Sequence, residues 1–174
     1  MSEAPILTTD RLRLRPRKAE DAEAMFATFS DPDLMTWWSH APFTSIAELR
    51  TDLARSDPAW RRWAITLIDD DRAIGFVAAG EKRQGKVTEI VYILARAHWG
   101  AGIAREAVTA VIDQLFAEGQ RRLFADTDPD NAASLALLER LGFQREGLLR
   151  GEWETHIGVR DSVILGLLEN DWRR

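Results

Sequence analysis

The sequence predicts a mixed α/β domain, with one central, mostly antiparallel sheet flanked by about four helices. Strand-like alternation recurs between Arg62 and Leu94, interrupted only by short polar turns. A helical-period stretch from Gly102 to Glu118 then breaks that rhythm. Two further strand-like runs follow the last helix. The 174 residues suit one domain spanning 1–174, and 45% hydrophobic with 29% charged residues is an ordinary globular balance.

Thr9 to Pro16 alternates Leu12 and Leu14 with Arg11, Arg13 and Arg15, which predicts a first strand ended by Pro16. Lys18 to Phe29 has Ala22, Met25, Phe26 and Phe29 at helical spacing, with Glu20 and Asp21 in the first turn, and Asp31-Pro32 stops it. The loop beyond carries Trp37, Trp38, His40 and Phe43. Ser45 and Glu48 form a capping-box pattern for a second helix bearing Ile46, Leu49 and Leu53. An antiparallel meander follows: Arg62 to Ile68, Ala73 to Ala79 and Lys86 to Leu94, with turns at Asp69-Asp70-Asp71 and Gly80 to Gly85. The third strand puts Val87, Glu89, Val91 and Ile93 on one face, and Thr88, Ile90, Tyr92 and Leu94 on the other.

The helix from Gly102 to Glu118 carries Ala104, Val108, Val111 and Leu115, with Gly119 as its C-cap. Arg121 to Asp126 is a strand. The turn Asp128-Pro129-Asp130-Asn131 leads into a helix through Leu141, ended by Gly142-Phe143. Arg145 to Trp153 and Arg160 to Leu168 complete the sheet.

Composition excludes several function classes. The formal net charge is -5, whereas phosphate neutralisation favours a basic surplus, so nucleic acid is not the expected partner. An acidic chain suits a cationic acceptor such as an amine. With no cysteine, disulfides, thiolate metal sites and a cysteine nucleophile are excluded. No run reaches the roughly 18 apolar residues of a membrane span. Met1 to Pro5 lacks the features of a signal peptide, so a cytoplasmic protein without a membrane partner is expected. His40, His98 and His156 are scattered, so no metal is expected.

The chemistry centres on Trp99-Gly100-Ala101-Gly102-Ile103-Ala104. It follows a strand and opens a helix, whose first N–H groups are unpaired and carry partial positive charge. Gly100 and Gly102 lack the Cβ that would hold an anion off the backbone, so the segment can cradle a pyrophosphate. It can equally be a plain strand-to-helix turn. A Walker loop is excluded, since no Gly-Lys-Ser/Thr is present. A dinucleotide fingerprint is a closer rival, with Asp126 near the place of a ribose-binding acid. Against it, Arg105 stands at the third glycine position and Ala95 to Trp99 separates strand from loop. No further parallel units follow.

The loop resembles the pyrophosphate loop of the GNAT superfamily of N-acetyltransferases, in which Gln or Arg is followed by x-x-Gly-x-Gly/Ala. Gly102 and Ala104 match, and Trp99 occupies the Gln/Arg position, as in the branch typified by the ribosomal-protein-alanine N-acetyltransferases. Leu7 to Arg15, Asp31-Pro32, Asp128 to Ser134, Leu141-Gly142-Phe143 and the ending Arg160-Asp161 through Asp171-Trp172 resemble that branch in order, over essentially the whole chain. The resemblance implies a GNAT-like fold and acetyl-CoA as co-substrate, whose acetyl group passes to a small-molecule amine or a protein N-terminus by direct attack in a ternary complex.

That chemistry needs a base for the amine, a donor for the thioester oxygen and a hydrogen bond for the leaving thiolate. Glu89 is the candidate base. Val91 and Ile93 share its face, and an apolar setting raises a carboxylate's pKa. A salt bridge with an arginine is the other reading. Asn131 and Ser134 lie three residues apart on one helix turn, and Asn131 alone reads as a helix cap. The resemblance implies that Asn131 bonds the pantetheine arm and that Ser134 lies near the coenzyme sulfur. Many family members use a tyrosine seven residues after the asparagine as acid; here that residue is Leu138. The resemblance also gives the backbones of Val91, Tyr92 and Ile93 to the acetyl oxygen and pantetheine, with the Tyr92 ring in the core. Trp37, Trp38 and His40 border the acceptor side by the same resemblance, and an aromatic wall suits a cation. They can equally be helix-to-helix packing. A non-catalytic acyl-CoA sensor would keep the loop and Asn131 without needing Glu89 or Ser134. The chain is expected as a monomer or a homodimer, the latter through an exposed strand edge.

Overall fold

A computed structural model describes residues 3–82 and 85–172. Eight strands form one sheet in the order β1-β2-β3-β4-β5-β6-β8-β7. They are β1 (Leu7–Thr8), β2 (Leu12–Pro16), β3 (Trp60–Leu67), β4 (Asp70–Glu81), β5 (Val87–Leu94), β6 (Arg122–Thr127), β7 (Gln144–Thr155) and β8 (Gly158–Leu168). The helices are α1 (Ala22–Phe29), α2 (Pro32–Met35), α3 (Ile46–Leu53), α4 (Ile103–Ala117), α5 (Ala132–Arg140) and α6 (Glu169–Trp172). All pairings are antiparallel except β5 with β6. The expected mixed, mostly antiparallel sheet is therefore present.

Local chemistry explains where the boundaries moved. The first strand divides, because the Thr9 hydroxyl accepts the Leu12 N–H at 3.0 Å and turns the chain, so that Leu7 pairs with Leu14. Asp31 stops α1, as expected, but it then caps the unforeseen α2, accepting the Asp33 N–H at 2.9 Å. Ser45 caps α3 by accepting the Glu48 N–H at 3.1 Å, while the Glu48 carboxylate accepts the Thr44 N–H at 3.0 Å. Glu118 is the C-cap of α4, and Gly119 follows it at φ 85. The meander turn from Gly80 to Gly85 includes Arg83 and Gln84, which lie outside the described residues.

The sheet carries apolar layers on both faces. Leu12, Leu14, Trp63, Ile90 and Leu94 pack under α4 and α5. Ala64, Phe76 and Ile93 pack under α1 and α3. The alternation of β5 thus separates two cores, and the strand's rigid placement carries Glu89 and Tyr92 to opposite sides. No helix among the described residues is long and apolar enough to cross a membrane.

Arginine–carboxylate pairs tie these layers together. Arg61 holds Glu118 at 2.7 Å, and that guanidinium keeps the Glu118 carboxyl below its ordinary value. Arg15 does the same to Asp71. A carboxyl whose pKa is lowered by folding stabilises the fold above its unfolded value of about 4, and that contribution disappears as pH falls through the folded value. The melting temperature is therefore expected to be flat near neutrality and to drop below about pH 4. A thermal melt that stays level from pH 7 down to about 3 would contradict this account of the pairs.

Candidate active site

The site forms where β5 and β6 part. Their parallel pairing runs through Val87 with Arg122, Thr88 with Leu123 and Glu89 with Phe124, and stops there. From Ile90 onward the β6-facing edge of β5 is unpaired by that strand, although β4 still pairs with its other edge as far as Leu94. A wedge thus opens beside Val91, Tyr92 and Ile93, which β6 does not pair. Glu89 sits at its vertex.

At the wide end lies the glycine loop. Gly100 and Gly102 adopt φ 75 and 76, the left-handed region that favours glycine. Gly102 caps α4 with no side chain, and the first intrahelical bond is from the Glu106 N–H to the Gly102 carbonyl. The N–H groups of Ile103, Ala104 and Arg105 therefore point out of a 15-residue helix without an intrahelical acceptor. Trp99 pins the loop to the strand, its indole N–H donating to the Leu94 carbonyl at 2.9 Å. Arg11 braces the other side, donating to the Ala101 carbonyl at 2.9 Å and to Glu106 at 2.7 Å. Burial raises the Glu106 pKa, but hydrogen bonds from Thr9 and Arg11 outweigh it and hold the carboxyl low.

Glu89 is only 12% exposed, and Lys82 Nζ lies 3.0 Å from its Oε2. The carboxylate thus has an ion-pair partner, and it is a lysine rather than the arginine of the alternative reading. Register is the reason, because β4 and β5 pair Gly80 with Glu89 and bring the end of β4 alongside. Lys82 in turn rests 5.3 Å from the Trp60 ring.

Asn131 caps α5, accepting the Ser134 N–H at 3.2 Å. The Ser134 hydroxyl lies 2.7 Å from the Tyr92 hydroxyl. Tyr92 is therefore more than core filling, since its polar end reaches across to α5. Burial pushes its phenol up to about 12, against the opposing Ser134 hydrogen bond. Leu138 is fully buried.

Two cavities lie against β5 and share Trp38, Trp60 and Val91. One, of about 230 Å³, includes His40, Arg17 and Arg62. Burial and the Arg62 charge lower Arg17 to about 10. The other, of about 250 Å³, contains Glu89. Trp37, Trp38, Trp60 and Trp153 line it, together with Asp126, Asp128 and Asp161. Asp128 is paired with Arg160 at 2.7 Å. Asp126 has no cationic partner among the described residues; its carboxylate accepts the Trp153 indole N–H at 3.0 Å and the Ser162 hydroxyl.

Trp37 and Trp38 line the Glu89 cavity, and Trp38 and His40 line its neighbour. His98 and His156 line neither cavity. Asp126 faces the cavity of Glu89. Sequence reasoning missed Trp60, Lys82, Trp153 and the place of Asp126 in the Glu89 cavity. Tryptophan content, with seven in the chain, was the only sequence signal for Trp60 and Trp153, and Lys82 and the cavity place of Asp126 had none.

Known proteins share this fold. The acetyltransferase (GNAT) domain family matches residues 11–144. The uncharacterized N-acetyltransferase p20 of Bacillus licheniformis is 34% identical over 175 residues, covering 95% of this chain and 97% of the relative. A solved GNAT-family probable acetyltransferase from Chromobacterium violaceum superposes with a TM-score of 0.89 at 28% identity, covering 99% of this chain and 91% of that one. The spermidine N-acetyltransferase of Vibrio cholerae, solved with CoA and spermine, shares the fold with a TM-score of 0.81 at 23% identity, covering 95% and 100%.

Proposed function

The chain belongs to the GNAT acetyltransferase family, and from that premise we propose that it moves the acetyl group of acetyl-CoA to a primary amine by direct attack in a ternary complex. The observation that carries this reading is the parting of β5 and β6 at Glu89, between a glycine-opened helix start and an aromatic, acidic cavity. The diphosphate would rest on the free N–H groups of Ile103 and Ala104, with Trp99, Gly100, Ala101 and Gly102 shaping the approach. Pantetheine would complete the unpaired edge of β5 at Val91, Tyr92 and Ile93 and meet Asn131. Ser134 would face the sulfur. Trp99 at the head of the loop supports the ribosomal-protein-alanine branch.

In this reading the amine enters from the Glu89 cavity. Glu89 takes its proton, directly or through water, as nitrogen bonds to the acetyl carbon. A β5 backbone N–H receives the charge developing on the acetyl oxygen. The carbon–sulfur bond breaks and its electron pair stays on sulfur.

The cavity also narrows the acceptor. Its lining sets Glu89, Asp126, Asp128 and Asp161 against Lys82 and Arg160, and tryptophan faces surround the excess negative charge. Asp126 has no cationic partner among the described residues. An acceptor carrying a second positive charge fits this lining best, through ion pairing and cation–π contact. The test is a panel of small amines matched in length, with and without a second ammonium group. The wild type should favour the dication in kcat/KM, and Asp126→Asn should erase about tenfold of that preference, the factor given by ~1.4 kcal/mol. Equal use of both amines by the two enzymes would remove the charge argument.

A further inference from the structure

Ser134 raises a chemical difficulty, because an alkyl hydroxyl is a weak donor to a leaving thiolate. Leu138, at the place where the resemblance would put a tyrosine seven residues after Asn131, is fully buried in the core. A different tyrosine comes near from the sheet. Tyr92 lies on the face of β5 directed at α5, packed against the apolar core there. Its hydroxyl is 2.7 Å from Ser134 Oγ. It is the chain's only tyrosine.

We propose that Tyr92 is a positioning residue for acetyl transfer, its phenol donating to Ser134 Oγ so that the serine hydrogen is turned toward the departing sulfur. This rests on the reading that Ser134 lies beside that sulfur. A phenol is a stronger acid than an alkyl alcohol, so in this pair the phenol is the favoured donor. A hydroxyl that accepts such a bond is polarised and becomes a better donor itself. The Asn131 cap fixes the backbone of Ser134, and β5 fixes Tyr92, so neither end must reorganise when charge reaches the sulfur. Burial keeps the phenol protonated well above neutrality, so it remains a donor throughout turnover. The balance is complete without moving the tyrosine proton. Nitrogen bonds to the acetyl carbon, the carbon–sulfur pair goes to sulfur, and the amine proton leaves through Glu89. Ser134 holds the thiolate by a hydrogen bond, and Tyr92 holds Ser134.

The experiment is a double-mutant cycle of Tyr92→Phe, Ser134→Ala and the double variant in the full chain. It measures kcat and KM for acetyl-CoA under saturating amine, with a thermal melt of each protein. Tyr92→Phe removes only the hydroxyl, so the melt should stay near that of the wild type. Its kcat should fall about tenfold at unchanged KM, as the loss of ~1.4 kcal/mol in the transition state alone requires. In the Ser134→Ala background the same change should add nothing, because the group it acts through is gone. An equal fall in both backgrounds, or a loss confined to KM and melting temperature, would overturn the assignment. Full turnover by Tyr92→Phe beside an impaired Ser134→Ala would overturn it while leaving the Ser134 reading intact. Full turnover by Ser134→Ala would remove both.

Discussion

Glu89→Gln is expected to lower kcat by about 10²- to 10⁴-fold while leaving acetyl-CoA affinity near the wild-type value. The magnitude is that of general-base catalysis by one positioned group. The substitution is nearly isosteric. An amide there can still touch Lys82, but it cannot hold the proton of the attacking amine. Glu89 stands at the last paired position of β5 and β6, away from the helix start that would carry the diphosphate. Binding and turnover should therefore separate. The check is kcat at saturating acetyl-CoA across pH, beside a direct calorimetric Kd. Undiminished turnover across that range would end the base assignment, and a large loss of affinity would move Glu89 into coenzyme binding.

Gly102→Val should act in the opposite way, raising the Kd for acetyl-CoA by about 10- to 100-fold with a smaller effect on kcat. Space is not the obstacle, because a Cβ at Gly102 would meet only the Arg11 guanidinium, at 3.6 Å. The backbone is the obstacle. Its φ of 76 lies in the left-handed region, which a β-branched residue adopts only at a cost of about 1–3 kcal/mol. Relief of that strain would rotate the cap of α4 and turn the Ile103 and Ala104 N–H groups away from the diphosphate. The body of α4 is anchored by buried Ala107, Val108, Val111 and Leu115, so the fold should survive. An unchanged Kd would show that the coenzyme does not rest on this helix start.

What the sequence made legible was local. The glycine loop, the Ser45 cap, the Gly119 and Gly142 helix ends and the strand meander each depend on residues within a few positions. Periodicity or a required φ exposes such signals. β1 and α2 were missed because two and four residues are too few to show a period. The site was harder to read because its members meet only in three dimensions. Lys82 reaches Glu89 through hairpin register. Trp153 comes from the far β7–β8 hairpin to bond Asp126 on β6. Tyr92 alternates correctly with Ile90 and Leu94 and so looks like core, and only the position of α5 reveals a partner for its hydroxyl.

The most direct measurement mixes wild-type protein and acetyl-CoA with short diamines and follows free coenzyme thiol and acetylated amine together. The account predicts that thiol appears only when amine is present, in step with the new amide and with no acetylated protein accumulating. Tight acetyl-CoA binding with no thiol release for any amine offered would contradict it and leave a coenzyme-binding sensor in its place.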